Sequence, residues 1–194
     1  AVRPGLPFVI VTGSLDEETA ADGIKAGADD YVLKERLARL SHAVRAARDV
    51  WTARLARRAA EAELRLLQSA LEAAADGVVI TDVEGSIAWV NPAFTRITGY
   101  GLEEARGRNP RFLRSGVHRD AFYRQLWETI LAGSPWRGEL YNRRKDGSLY
   151  VEEMTITPVR AAGGAISHFV AIKQDVTALK RQEEVIQDLA TRDL

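Results

Sequence analysis

Hydrophobic and polar positions divide the 194-residue chain into blocks of different period. Residues 7–12 form a short apolar, β-branched run closed by Gly13, which predicts a buried strand. A helix is expected next, capped by Ser14 or Asp16, with Asp16, Glu17 and Glu18 in its first turn and Gly23 and Gly27 near its end. Residues 30–34 predict a second strand. Strand, helix, strand at this length implies a parallel pair with a crossover helix, half of an α/β sheet. Residues 35–75 contain neither Pro nor Gly and read as one helix of about 60 Å. Leu37, Leu40, Val44, Ala47 and Trp51 keep the spacing of a coiled-coil seam, continued by Leu55, Ala59, Ala62, Leu66, Ser69 and Ala73. Equal steps of four from Ala47 to Ala59 form a stutter that locally unwinds a supercoil.

Residues 76–177 change character. Strands are predicted over 77–82 and 87–91 around the turn Val83-Glu84-Gly85-Ser86, then short helices over 92–98 and 102–106. An amphipathic helix follows over 120–131, with Phe122, Leu126 and Ile130 on one face and Tyr123, Trp127 and Leu131 beside it. Three more strands, 136–143, 149–159 and 166–174, are joined by tight connections. The expected fold is α+β: a five-stranded antiparallel sheet with helices on one face, flanked by long helices. Residues 178–194 predict a final helix, with Leu179, Gln182, Ile186 and Leu189 on a second seam.

Composition narrows the chemistry. The chain carries 27 Lys+Arg against 27 Asp+Glu, so no net charge draws it to nucleic acid. Arg45, Arg48, Arg54, Arg57, Arg58 and Arg65 make the off-seam face of residues 35–75 basic, which reads as a solvated flank. No apolar run reaches membrane-spanning length and no signal peptide opens the chain, so a cytoplasmic protein is expected. With no Cys, thiolate metal sites, disulfides and a Cys nucleophile are excluded. His42, His118 and His168 have no partner at metal-ligand spacing. Asp16-Glu17-Glu18 is a helix-start charge run and Glu152-Glu153 alternate across a strand, so no catalytic residues and no enzyme activity are expected. The chain opens without Met and its last helical pattern runs to the final residue, as expected of a piece of a longer protein.

The motifs Asn91-Pro92-Ala93-Phe94, Thr98-Gly99-Tyr100, Gly107 to Leu113, Arg143-Arg144-Lys145-Asp146-Gly147 and Asp175-Val176-Thr177 come in the order of a PAS domain, and residues 76–177 resemble one. The resemblance implies signal transfer at Asp175, Val176 and Thr177 into the helix of residues 178–194. Residues 1–34 resemble the second half of a response-regulator receiver, with Thr12, Tyr31 and Lys34 in the switch positions. The acceptor Asp and acidic metal cluster of that family have no counterpart here, so phosphorylation in the usual way is not expected. The tail Asp188-Leu189-Ala190-Thr191-Arg192-Asp193-Leu194 resembles the lead-in to a diguanylate cyclase (GGDEF) domain. Together these imply a two-component parent of the order receiver, helical linker (35–75), PAS and cyclase.

The segment 107–113 is similar to the light-sensing LOV motif, but Pro110 stands where the photoreactive Cys would be, which excludes adduct chemistry. Lys173 and Glu152 replace that family's flavin-contacting Gln and Asn. The segments Trp136-Arg137-Gly138 and Asn142 to Asp146, with Trp127, resemble FAD-holding redox sensors of nitrogen-fixation and methane-oxidation control. That resemblance implies FAD against Trp127 and Asn142 and a redox or oxygen signal; Arg111, as a partner for a ligand phosphate or carboxylate, and Asn109 are further cofactor-binding candidates. Alternatives stay open: Trp127 as plain core, Asn142 satisfying a neighbouring backbone, and Arg111 as a surface residue. The cofactor-free alternative is a dimerisation relay between receiver and output, and haem or a small metabolite is a further one. A homodimer through the flanking helices is expected.

Overall fold

The computed structural model describes residues 6–13 and 22–192. The chain divides into two compact units, Ala1–Leu67 and Gln68–Leu194. The expected caps Ser14 and Asp16 and the acidic turn with Glu17 and Glu18 lie outside the described residues, as do the last two residues of the tail.

In the first unit, β1 (Val9–Thr12) and β2 (Asp30–Leu33) pair in parallel, with Thr12 opposite Leu33. Asp29 fixes the entry to β2, its carboxylate accepting from the Phe8 N–H at 3.0 Å while its own N–H donates to the Phe8 carbonyl at 3.0 Å. The helix expected from residue 35 does not start there. Lys34–Arg39 is a 3-10 turn broken at Arg36 (φ −124°, ψ 39°), and α1 runs Leu40–Ala73. The turn buries no residue, so no packing draws its six residues into α geometry. Ala43 and Ala47 are buried, whereas the seam residues Leu37, Val44 and Leu55 are 53%, 48% and 43% exposed.

The second unit is built on an antiparallel sheet of β3 (Gly77–Thr81), β4 (Ile87–Val90), β5 (Trp136–Arg143), β6 (Leu149–Arg160) and β7 (Ile166–Asp175). Its spatial order is β4-β3-β7-β6-β5, so the first and last strands in sequence meet at the centre. Strand β3 stops one residue before the expected end because Asp82 turns the chain: its carboxylate accepts from the Glu84 and Ser86 N–H groups at 3.1 and 2.7 Å. Helices α2 (Pro92–Thr98), α3 (Leu102–Ala105) and α4 (Asp120–Leu131) cover one face. Residues 110–113, expected as loop, form a 3-10 turn capped by Asn109, whose side chain accepts from the Arg111 N–H.

Asn91 explains why α2 begins where it does. Its Oδ1 accepts from the Phe94 N–H at 3.0 Å as an N-cap and from the Val78 N–H at 2.8 Å. Its amide donates to the Asp76 and Leu71 carbonyls, so one side chain ties α2, β3 and the end of α1 together. Gly99 closes α2 at φ 79°, a left-handed cap that glycine adopts without strain. The core between sheet and helices is apolar, with Val79, Ile87, Phe94, Leu113, Leu126, Ile130, Met154 and Phe169 buried. Strand parity puts Tyr150, Glu152, Met154 and Ile156 on this inner face of β6.

Candidate functional site

Between α4 and the inner face of the sheet lies an open-mouthed cavity, about 700 Å³ when the solvent space at its mouth is included. Its walls are mostly apolar: Val79, Leu126, Ile130, Leu140, Met154, Ile156, Phe169 and Ala171. Trp127, Asn142, Arg111 and Asn109, the four residues singled out in the sequence, all line it. They come from separate elements, α4, β5 and the 3-10 turn with its cap, so only the tertiary fold brings them together.

Trp127 stands edge-on to Phe169, ring centroids 6.0 Å apart at 88°. Its indole also lies against the hairpin turn. A Cβ at Gly85 would come 2.6 Å from the indole Cη2 and 2.7 Å from Asn109 Nδ2, so this turn admits glycine on contact as well as on its φ of 82°. Arg114 stacks its guanidinium 3.5 Å over the Tyr123 ring at the same rim. Burial, chiefly, pushes the Tyr123 phenol above its ordinary range, and its hydroxyl has no hydrogen-bond partner among the described residues.

The floor is polar. Asn142 and Lys173 are buried on the inner faces of β5 and β7, and Glu152 lies fully buried between them on β6. Lys173 Nζ donates to Glu152 Oε1 at 2.7 Å, and Asn142 Nδ2 donates to the same oxygen at 3.0 Å. Among the described residues Glu152 Oε2 is buried without a hydrogen bond. The Tyr150 hydroxyl lies close to Glu152 and Asn142; burial first and the Glu152 charge second push its phenol far above its ordinary range. Of these residues Tyr123 lines the cavity, while Glu152 and Tyr150 lie behind its floor.

Residues 65–176, more than half of the chain, match the family described as PAS fold. This chain is a member of the PAS family. Its PAS domain is 36% identical over 121 residues to a nitrogen fixation regulatory protein of Klebsiella oxytoca, a match covering 62% of this chain and 24% of that regulator. It is 36% identical over 94 residues to a blue-light-activated histidine kinase of Brucella canis, covering 48% of this chain and 19% of the kinase. The chain thus spans about a quarter or less of these two relatives. An RNA-binding light-oxygen-voltage receptor superposes with a TM-score of 0.59 at 28% identity, over 66% of this chain and 37% of the receptor. A light-oxygen-voltage domain solved with a flavin analogue gives 0.54 at 25% identity, over 64% of this chain and 95% of that domain.

In this PAS domain the expected junction residues are gathered at the end of β7. Asp175 pairs with Arg144 at 2.6 Å and accepts from the Thr177 N–H at 3.0 Å. Val151 on β6 donates its N–H to Thr177 Oγ1 at 3.0 Å and accepts from the Val176 N–H at 2.9 Å. The helix α5 (Thr177–Arg192) therefore leaves the sheet from a fixed base, with Lys180 paired to Glu139 on β5 at 2.6 Å. Burial alone would raise the Asp175 carboxyl, but the Thr177 hydroxyl and the Arg144 charge outweigh it and hold it below the usual range. Arg144 also donates to the Ile97 carbonyl and lies 4.5 Å over the Tyr150 ring, which places it between the cavity floor and the junction.

Other expected sites fall elsewhere. Thr12 and Lys34 lie at the same end of the parallel pair, since Thr12 pairs with Leu33, and Tyr31 sits opposite Ile10. None of the three histidines lines the cavity: His118 Nε2 accepts from the Tyr141 N–H at 3.1 Å and its ring stacks on Phe122. Sequence reasoning missed Gly85, Arg114 and Tyr123 as lining residues and read Lys173 and Glu152 only as departures. Parity supplies a signal for Glu152, because it falls in phase with Tyr150, Met154 and Ile156. Among the described residues no group of His, Asp and Glu is placed to hold a metal, and no helix is long and apolar enough to cross a membrane.

Proposed function

We propose that this chain is the sensing and transmitting part of a larger regulator, and that its PAS cavity holds FAD as a redox or oxygen sensor. The observation that carries this reading is the convergence of Trp127, Asn142, Arg111 and Asn109 on one cavity. A flat aromatic ring fits its chemistry: apolar walls and an indole for the ring faces, and the polar side chains of Asn142 and Lys173 on the floor for a ring edge rich in C=O and N–H groups. Arg111 and Arg114 at the mouth suit a ligand's anionic arm. When bound, the flavin would supply reversible electron acceptance. The protein's part is to stack the ring with Trp127, orient its edge with Asn142, and transmit the change through β7.

Lys173 lies on that strand two residues before Asp175, so a shift at the floor reaches the junction directly. From there α5 carries it to an output domain, for which the tail's resemblance favours a diguanylate cyclase. The parallel β1–β2 pair, with Thr12, Tyr31 and Lys34, is read as part of a receiver upstream. Exposed seam residues on α1 and α5, among them Leu55, Leu66, Leu179 and Ile186, favour a homodimer through these helices.

An absorption spectrum of the untreated protein, with the released chromophore identified, tests the cofactor. A flavin band that bleaches with dithionite, and is lost in Trp127→Ala plus Asn142→Ala, is expected. Flavin retained in that double variant would remove the site assignment. Only Trp and Tyr absorption, persisting after reconstitution with FAD, would overturn the flavin reading and leave a cofactor-free relay.

A further inference from the structure

Every charged residue lining the cavity is basic: Arg111, Arg114 and Lys173. That bias stands out in a chain whose formal charges sum to zero. The one carboxylate at the floor, Glu152, does not line the cavity but stands behind Lys173 and Asn142. The order matters electrostatically. A ligand in the cavity meets the ammonium first and the carboxylate second, and at short range in a dry site the nearer charge dominates. Both side chains are almost wholly buried, with 4% exposure for Lys173 and none for Glu152, so solvent screens neither.

Glu152 also sets the hydrogen-bonding sense of the floor. Because it takes a hydrogen of the Asn142 amide, the carboxamide is held with Nδ2 toward Glu152 and Oδ1 directed away from it. Lys173 makes its one hydrogen bond among the described residues to Glu152 and keeps further N–H donors. The floor therefore offers a cationic donor beside a carbonyl acceptor, the complement of a ring edge in which a C=O adjoins an N–H.

We infer that Lys173, with Glu152 as its positioning residue, makes this floor selective for the anionic form of the bound ring, so that charge on the ligand is the quantity the PAS domain reads. The inference rests on the flavin reading above. Reduction adds two electrons and one proton to the ring, leaving it with one negative charge. The electrons come from a low-potential donor, dithionite in the test. Lys173 gains a second anionic partner in that state and its hold on Glu152 weakens. Glu152 and Lys173 belong to adjacent strands, and Lys173 lies two residues from the junction, so the exchange acts where β6 and β7 meet α5.

The full 194-residue chain reconstituted with FAD is compared with two variants by equilibrium reduction against a reference dye. The neutral, still hydrogen-bonding pair Lys173→Gln/Glu152→Gln should favour the reduced ring about tenfold less, a fall of about 30 mV for a two-electron couple. Glu152→Gln alone leaves the cation unopposed and should move the potential the other way. Opposite signs are not expected of a merely structural role. If a floor variant fails to fold, Arg111→Gln at the exposed mouth should still give a smaller fall. FAD bound with the same potential in wild type and variants overturns this inference and spares the flavin reading. A wild-type chain that takes up no FAD overturns both.

Discussion

The PAS domain has two ion pairs within a few residues on β7, and they differ in almost every physical respect. Lys173–Glu152 is dry, shares its carboxylate with Asn142, and faces a cavity. Arg144–Asp175 keeps 22% and 28% side-chain exposure and sits where the sheet hands over to α5. A buried pair gains little over an apolar pair of the same shape, yet removing one partner strands a charge. A partly exposed pair is worth little to global stability, but it can decide where a helix is anchored. Placed so close together, the first borders the cavity and the second anchors the base of α5.

The largest effect that would break this contrast is on stability. Lys173→Met leaves Glu152 charged and unpaired, and should lower the unfolding free energy by about 3–5 kcal/mol in urea titrations. Lys173→Met/Glu152→Leu should recover most of it. If the double variant is as unstable as the single one, the pair is not the dry, mutually compensated unit described here.

Arg144→Ala should cost only about 1 kcal/mol globally, since its partner Asp175 remains reachable by water. Its consequence should be local: amide exchange in the first turns of α5 should quicken while the central strands β3 and β7 stay protected. Uniform loss of protection would mean the two pairs play the same part.

The smallest effect is the pH response of the junction. The Asp175 carboxyl is held below its ordinary value in the folded chain. Its contribution is therefore complete above the unfolded Asp range near pH 4, and is lost as pH falls through the lower folded value. At this exposure the term should stay below about 1 kcal/mol. Acid titration of α5 helicity should show it, and Arg144→Ala should flatten it.

Much of this architecture was legible because local chemistry and periodicity agreed. The turn residues Asp82 to Ser86 and Arg144 to Ser148, and the capping Asn91, mark element ends that the fold keeps to within a residue. The start of α1 was less legible, since nothing in residues 35–39 separates a 3-10 turn from a helix when neither is fixed by packing. Trp127 and Asn142 stood out through the resemblance to FAD-holding sensors, since their type and setting alone also suit plain core and backbone satisfaction, and both line one cavity. The floor did not stand out, because a Glu or Lys on a strand ordinarily faces water. Glu152 and Glu153 look alike in sequence. Register sends Glu153 outward to Arg137 and Glu152 inward to Lys173. Arg144 was quoted as part of a motif, but its place between Tyr150 and Asp175 depends on side chains from three segments and has no one-dimensional trace.

Gly85 has a consequence for how this domain can drift. Hairpin turns on a surface are ordinarily where substitutions accumulate, because little packs on them. Val83 and Glu84 are exposed and free to vary in that way. Their neighbour is not, since any side chain there strains the backbone and pushes directly into Trp127 and Asn109. The glycine in this turn is thus fixed twice over, by its own backbone and by the indole it faces, so the mouth of the cavity carries a constraint that an ordinary surface hairpin lacks.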